Sequence, residues 1–235
     1  SRWNLEAPYY GHRLPLPGSN GSRHVQLLVL DSVGLEGGVS KELLATRRFV
    51  EDYSPEFTSP AAAAAQWHWV EEQLGTPQGA SPALFMVAAH RPVLSMVKRS
   101  RSKAERAVEA RLRPLLQGAS RQAPVVYVNG HDHAMQLFSE PGQRLHYLVN
   151  GVGGMGRAGR EVRSARPAGG GEHLQGLHHF VPPDTPGAPS KEFVWGNNSS
   201  YGFLVHELGP TSMDAHFIDA ATGRSLHSAR VSFAA

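Results

Sequence analysis

The feature that most constrains this chain is the stretch Val125–Gln136, which reads VVYVNGHDHAMQ. An apolar run of strand length ends in Asn-Gly, presents His131 and His133, and then resumes as an amphipathic strand. Alternate residues of a strand point to the same face, and a turn at Gly130 would let the two imidazoles diverge towards neighbouring sites. Imidazole is a common ligand of zinc, iron and manganese. The stretch predicts either a metal site or a polar strand end with two exposed histidines.

A second strand-like run ends in a histidine about forty residues upstream. Residues 83–95 read ALFMVAAHRPVLS, a continuous apolar run that reaches His90 and is broken by Pro92. Such runs are typical of buried parallel strands. The intervening SKAERAVEARLRPLL has its apolar residues on one side, as an amphipathic helix does. The unit is therefore strand, helix, strand. Because ligands gather at the carboxyl ends of parallel strands, we expect His90, His131 and His133 to converge there.

These motifs resemble those of a known family. HRPVLS and GHDHAMQ are similar to the last two metal-binding motifs of calcineurin-like metallophosphoesterases, and the closest resemblance is to the small, tartrate-resistant type of purple acid phosphatase. The resemblance extends along nearly the whole chain, through LLVLDSV (27–33), QWHWVEEQL (66–74) and YLVNGVGG (147–154). It implies an α/β fold, a four-layer α/β/β/α sandwich of two mixed sheets, formed here without its N-terminal part.

The resemblance also implies a reaction and a set of ligands. Members of the family hydrolyse phosphate monoesters with a dinuclear metal centre, here iron with zinc, iron or manganese, whose hydroxide attacks phosphorus in line. By resemblance, His133 would bind the ferric-type ion, and His90 and His131 the divalent one. Two alternatives stay open: a phosphodiesterase on the same fold, or a non-enzymatic scaffold whose histidines bind one metal weakly or none.

Three of the family's five ligand motifs have no counterpart in this chain. The resemblance implies an aspartate, a bridging aspartate followed by a tyrosine, and an asparagine before a histidine, but the chain contains no GDxG, GDxxY or GNH[DE]. We therefore expect residues 1–235 to be the C-terminal portion of one metallophosphoesterase domain. It would supply only the three-histidine half of the site and be inactive alone. The remaining ligands would come from a missing N-terminal segment or from a partner chain.

The loop after His90 differs from the family pattern in a way that bears on substrate. Family members usually carry a further histidine there, whereas residues 96–103 read MVKRSRSK. Arg99, flanked by Lys98 and Arg101, is our predicted phosphate-binding residue, because a guanidinium binds phosphate in a bidentate fork. The alternative is a solvated basic loop. Arginine stays charged, so these residues would not act as general acids.

Composition excludes several classes of protein. The chain has 235 residues, 40% of them hydrophobic, enough for a sizeable core. No run of eighteen apolar residues is present, so we expect no membrane span, and the absence of cysteine excludes disulfides. A net charge of +3 suits an anionic substrate, but the basic residues are spread out and do not predict nucleic-acid binding. Asn20, Asn197 and Asn198 fit N-x-[ST], which favours a secreted or lysosomal/vacuolar glycoprotein.

The rest of the chain yields a coarse element order. Residues 1–24 read as loop and edge, and residues 151–195 as a long Gly/Pro-rich loop of a kind that is usually functional or mobile. The predicted helix opened by a proline is Pro60–Leu74. The further predicted strands are His24–Asp31, Leu145–Asn150, Tyr201–Glu207, Met213–Asp219 and Ser225–Phe233.

Overall fold

A computed structural model describes residues 7–36, 59–75, 81–97, 103–153, 180–181, 185–186, 188–189 and 191–233. The described helices are α1, Pro60–Leu74, and α2, Lys103–Ala119, with a short 3₁₀ helix at Gly34–Glu36. The described strands are β1 Tyr10–Pro15, β2 His24–Val29, β3 Leu84–Ala89, β4 Val125–Asn129, β5 Met135–Ser139, β6 Leu145–Asn150, β7 Phe193–Asn197, β8 Gly202–Leu208, β9 Ser212–Asp219 and β10 Ser225–Ser232.

The larger sheet has seven strands in the order β1-β2-β3-β4-β6-β5-β7. Its centre, β2-β3-β4-β6, is parallel, while β1, β5 and β7 join antiparallel to their neighbours. The predicted strand, helix, strand unit is confirmed as β3, α2 and β4. Because β3 and β4 pair in register, with Ala89 beside Asn129, their carboxyl ends lie at one edge of the sheet.

The smaller sheet contains the three antiparallel strands β10-β9-β8. Along β9 buried and half-buried residues alternate, and Met213, Ala215 and Phe217 face inwards, as period-two geometry requires of a strand with one face in the core. The expectation of two mixed sheets therefore differs in one detail: within the described residues, the second sheet is wholly antiparallel.

Two apolar clusters define the layers. On one face of the large sheet, α1 and α2 contribute Trp67, Val70, Leu112 and Leu116 to a cluster with the side chains of the central strands. On the other face, Phe217 and its neighbours pack the small sheet against residues of β2 to β6. The described residues thus form three of the four expected layers: one layer of helices, the large sheet and the small sheet. The predicted α/β fold class is confirmed.

Among the described residues, no helix is long and apolar enough to cross a membrane.

Two edge strands were not predicted from the sequence. β1 lies within residues assigned to loop and edge, and β7 begins at Phe193, inside the predicted loop 151–195. In the described part of the chain each lies at an edge of the sheet, and its residues are exposed or half-buried, which weakens the apolar strand pattern. β5, predicted to be amphipathic, is buried on both faces, because Phe138 joins the cluster on the helix side and Met135 and Leu137 join the cluster facing the small sheet. Residues 154–179 of the predicted loop lie outside the described residues.

A buried ion-pair network joins α2 to the end of β5. Arg113 donates from Nε to Glu140 at 2.6 Å and from Nη2 to Glu192, just before β7, at 2.7 Å. The Tyr147 hydroxyl of β6 donates to the same Glu140 oxygen at 3.0 Å. Burial alone would raise the pKa of Glu140, but the hydrogen bonds from Arg113 and Tyr147 outweigh it and hold that pKa below its usual value. The ionised carboxylate therefore stabilises the contact between α2 and the sheet.

We predict that Glu140→Gln lowers the free energy of unfolding at pH 7 by about 2 kcal/mol, because Arg113 loses a buried charged partner. The folded-state pKa of Glu140 is lowered, so its stabilisation is present above the unfolded pKa of about 4.3 and is lost as the pH falls through the folded pKa. Urea denaturation of both proteins between pH 7 and pH 3 should show the difference shrinking in acid. A constant difference would contradict the role given to the carboxylate.

Candidate functional site

The structure brings two of the three predicted site histidines together. His90 directly follows β3, and His131 lies two residues beyond the end of β4, at the same edge of the sheet. The ring centroids are 4.9 Å apart, and His131 Nδ1 lies 3.0 Å from His90 Nε2. Parallel pairing of β3 and β4 thus produces the convergence expected from their sequence positions.

The backbone of the loop after β4 holds His131 in an uncommon conformation. Its φ is +64°, in the left-handed region that residues with a β-carbon rarely adopt. Two tight turns enclose it, with Asp132 N–H donating to the Gly130 carbonyl at 2.8 Å and Ala134 N–H to the Asp132 carbonyl at 2.7 Å. The Gly130 N–H also donates to the His90 carbonyl at 3.2 Å. These bonds keep a strained residue in place, an arrangement often found at functional sites.

The exit of β6 packs closely on this loop. The Gly151 N–H donates to the Ala134 carbonyl at 3.3 Å. A β-carbon at position 151 would overlap the backbone carbonyl of Asp132. The glycine-rich exit of β6 therefore allows the backbones of two strand ends to meet beside the histidines.

The guanidinium of Arg91 lies against His131. Its Nη1 is 2.8 Å from His131 Nε2 and 3.2 Å from Nδ1. The same nitrogen contacts Glu105, in the first turn of α2, at 3.0 Å, and Nε donates to Glu36 of the 3₁₀ helix at 3.0 Å. The side chains of Glu36 and Glu105 are only 8% and 9% exposed, so contact with this cation lowers the cost of burying both carboxylates.

The backbone of Arg91 is fixed from two sides. Its N–H donates to the Ser32 hydroxyl beyond β2 at 3.0 Å, and its carbonyl accepts from the Tyr127 hydroxyl of β4 at 2.6 Å. Burial raises the pKa of Tyr127, so the phenol remains a proton donor. The residue after His90 is thus anchored to the strands on both sides of β3.

Two asparagines with a buried side-chain oxygen at the same edge were missed by the sequence analysis. Asn129 ends β4 and Asn150 ends β6, and the buried Oδ1 atom of each has no hydrogen-bond partner within the described residues. Each is the middle residue of a Val-Asn-Gly sequence, and this repeated sequence is the signal that would have identified them. Beside them lies Asp132, which is fully buried. The rim thus carries polar side chains besides the histidines.

The described residues do not by themselves fit the expected metal centre. The 3.0 Å between His90 Nε2 and His131 Nδ1 suits a hydrogen bond, but it also suits two adjacent ligands of one ion at bond lengths of about 2.0–2.1 Å. A third ligand would distinguish a metal site from a simple hydrogen bond between the histidines. No group of three or more His, Asp or Glu residues able to hold a metal occurs in the described parts of the chain. The charge beside His131 is instead the guanidinium of Arg91.

The other predicted site residues are placed as follows. His133 is half-buried in the loop between β4 and β5, and it forms no such three-ligand group with His90 and His131. Its assignment to a ferric-type ion stays a prediction. Arg99, the predicted phosphate-binding residue, lies outside the described residues together with Lys98 and Arg101.

Comparison with known proteins confirms the predicted resemblance. No family model matches the chain. Tartrate-resistant acid phosphatase type 5 of Sus scrofa is 28% identical over 225 residues, covering 96% of this chain and 55% of that protein. The Homo sapiens protein of the same name is 25% identical over 230 residues, covering 98% and 59%. The chain thus spans little more than half the length of these relatives.

Solved structures confirm the fold. The chain is similar to GAP50, described as the anchor in the inner membrane complex of Plasmodium, with a TM-score of 0.65, 17% identity, and coverage of 99% of this chain and 57% of that one. It is also similar to a purple acid phosphatase from yellow lupin seeds, with a TM-score of 0.55, 12% identity, and coverage of 97% and 33%. At these identities the likeness concerns the fold alone.

We predict that Gly151→Ala lowers the free energy of unfolding by about 2 kcal/mol or more, because the new methyl group meets the carbonyl of Asp132. Gly118→Ala is the matched control, since among the described residues no atom outside its own helix backbone and chain neighbours lies within 4 Å of a β-carbon at that position. There the free energy of unfolding should rise, by up to about 1 kcal/mol. Urea midpoints of the two variants measure this, and equal shifts would refute the close approach at Gly151.

We predict that Arg91→Met lowers the free energy of unfolding by about 3 kcal/mol, because Glu36 and Glu105 are nearly buried and both lose the ion pair with Arg91. Arg111→Met is the control: Arg111 is 48% exposed, pairs with Glu71 at 2.7 Å, and should cost about 1 kcal/mol or less. Chemical denaturation near neutral pH tests the contrast. Similar losses for the two variants would show that the Arg91 network is only a surface ion pair.

Proposed function

We propose that the protein containing this chain is a phosphate monoester hydrolase of the acid phosphatase type. The observation that carries the proposal is the sequence similarity to tartrate-resistant acid phosphatases, which extends over 96–98% of the chain. The paired histidines at the carboxyl edge of the parallel strands support it, because catalytic groups of open α/β sheets gather at that edge.

In this proposal the chain supplies the imidazoles and holds them in place. His131 contacts both His90 and Arg91, so it is central to the geometry of the rim. The dinuclear centre that the resemblance implies, iron with zinc, iron or manganese, needs ligands beyond the described residues. We assign those to the aspartate, tyrosine and asparagine–histidine motifs of a further segment or chain. Arg99 is proposed to bind the phosphate of the substrate.

A second candidate function is a non-catalytic scaffold on the same fold. The cation beside His131 is an arginine that neutralises two carboxylates, an arrangement that stabilises the fold without any bound ion. The fold is also shared with GAP50, whose description as an anchor names no catalysis. Since one fold can host unrelated functions, an assay must separate the two candidates.

The assay uses the protein together with the segment that corresponds to the rest of its relatives' length. An aryl phosphate monoester and the matching diester are supplied from pH 4 to pH 8 with iron and zinc. We expect the monoester to be hydrolysed faster, and below neutral pH, as in an acid phosphatase. We expect His131→Asn to lower kcat/KM by roughly 10²-fold, because the rim loses its central imidazole. Asparagine tolerates the positive φ of position 131, so this variant keeps the local backbone.

His68→Asn is the matched control, since His68 is exposed on α1 and, in the part of the chain that the structure describes, pairs with Glu72 in the next turn. Its activity should equal that of the wild type. Faster hydrolysis of the diester would replace the proposal with a phosphodiesterase. If neither ester is hydrolysed, the scaffold function is the one that stands. Full activity in His131→Asn would remove the histidine pair from the mechanism.

A further inference from the structure

We propose that Asn197 is the acceptor of an N-linked glycan when the chain enters the secretory pathway, and that the overlapping acceptor sequence at Asn198 is not used. The segment reads Asn-Asn-Ser-Ser from Asn197 to Ser200, so each asparagine has a serine two residues later. The glycan is bulky, and two on adjacent residues would crowd each other. The inference goes beyond the proposed function, because it applies to a hydrolase and to a scaffold alike.

The first argument is the turn that Asn197 forms with its own serine. Asn197 Oδ1 accepts a hydrogen bond from the Ser199 N–H at 3.0 Å and a longer one from the Ser199 hydroxyl at 3.5 Å. Asparagine side chains form such turns locally, by bonding to the backbone two residues later, so the turn does not require the rest of the fold. The transferase that attaches the glycan recognises an asparagine and the hydroxyl two residues later together, on a sharply turned backbone. Asn197 and Ser199 are therefore already arranged as an acceptor pair.

The second argument concerns Ser200, the serine that Asn198 would need. The Ser200 N–H donates to Asn197 Oδ1 at 3.1 Å, so its backbone belongs to the turn of the neighbouring asparagine. The hydroxyl of Thr222 and that of Ser200 both donate to the Asp219 carboxylate, and these bonds help to hold the pKa of Asp219 below its usual value. The backbone and the hydroxyl of Ser200 are thus both directed away from the role of partner to Asn198.

The third argument is the position of Asn197 in the fold. Asn197 is the last residue of β7, where it pairs with Met135 of β5. Among the described strands β7 lies at the edge of the large sheet, and Val194 in the same strand is 54% exposed. A hydrophilic group attached at such an edge displaces no described neighbouring strand, and it hinders pairing of the edge with another chain. The folded protein therefore accommodates a glycan at this place.

The reaction is transfer of an oligosaccharide from a lipid-linked pyrophosphate donor. Asn197 Nδ2 forms a bond to the anomeric carbon of the first sugar and loses one proton. The bond between that carbon and the pyrophosphate oxygen breaks, and the lipid pyrophosphate leaves with the electron pair. Since the turn uses Asn197 Oδ1, attachment at Nδ2 keeps the hydrogen bonds to Ser199 and Ser200.

The test is secretion of the full-length protein from a eukaryotic host with a cleavable signal. The secreted protein is deglycosylated by an amidase in heavy-oxygen water and mapped by mass spectrometry, and we expect the label at Asn197 and none at Asn198. Ser199→Ala removes the acceptor sequence of Asn197 but keeps that of Asn198, and it should lose the mass of one glycan. Ser200→Ala is the matched control, because it does the reverse and should keep the wild-type mass. Ser199→Thr retains the hydroxyl and should also remain glycosylated.

A glycan on Asn198, in the wild type or in Ser199→Ala, would overturn the proposal. An unmodified Asn197 in the secreted protein, or loss of its glycan in Ser200→Ala, would overturn it as well. Both asparagines are intact in every variant. Asn20 precedes Arg23, so trypsin places it in a different peptide and a glycan there does not interfere. None of these readouts depends on phosphatase activity, so failure of the proposed function and failure of this inference are distinguishable.

Discussion

The pairing of two nearly buried carboxylates with one guanidinium is the interaction on which the rim of the sheet depends. Glu36 and Glu105 come from elements far apart in the chain, the 3₁₀ helix after β2 and the first turn of α2. Neither carboxylate is stable in the protein interior without a cation. Arg91 supplies that cation from the end of β3, and the same nitrogen reaches His131 beyond β4. One side chain therefore contacts residues of three other segments at this rim.

The parallel sheet makes this arrangement possible. In-register pairing of β3 with β4 places the residues after both strands side by side, and the turn after β4 gives His131 a positive φ that directs its ring towards His90. The close approach at Gly151 then packs the end of β6 on the same loop. Strain at His131 is tolerated because the loop is fixed by hydrogen bonds on both sides.

The sequence predicted the elements whose signals are local. The bounds of α1 agree with the prediction because the helix begins at Pro60 after a Ser59 cap and ends at Leu74, before the C-cap Gly75. The convergence of His90 and His131 was predicted because apolar strands mark their own ends. β1 and β7 were missed because none of their residues is buried, so neither strand forms a long apolar run in the sequence. The role of Arg91 was not predictable, since Glu36 lies 55 residues away and meets it only in the folded chain.

The cation that contacts His131 is part of the chain itself. A metal ion would make rim geometry depend on metal supply, whereas an arginine is part of the chain and is present whenever the chain is folded. The fixed fork of the guanidinium matches two carboxylates and an imidazole at once, which a flexible ammonium group matches less well. His131 is therefore oriented before any ligand arrives.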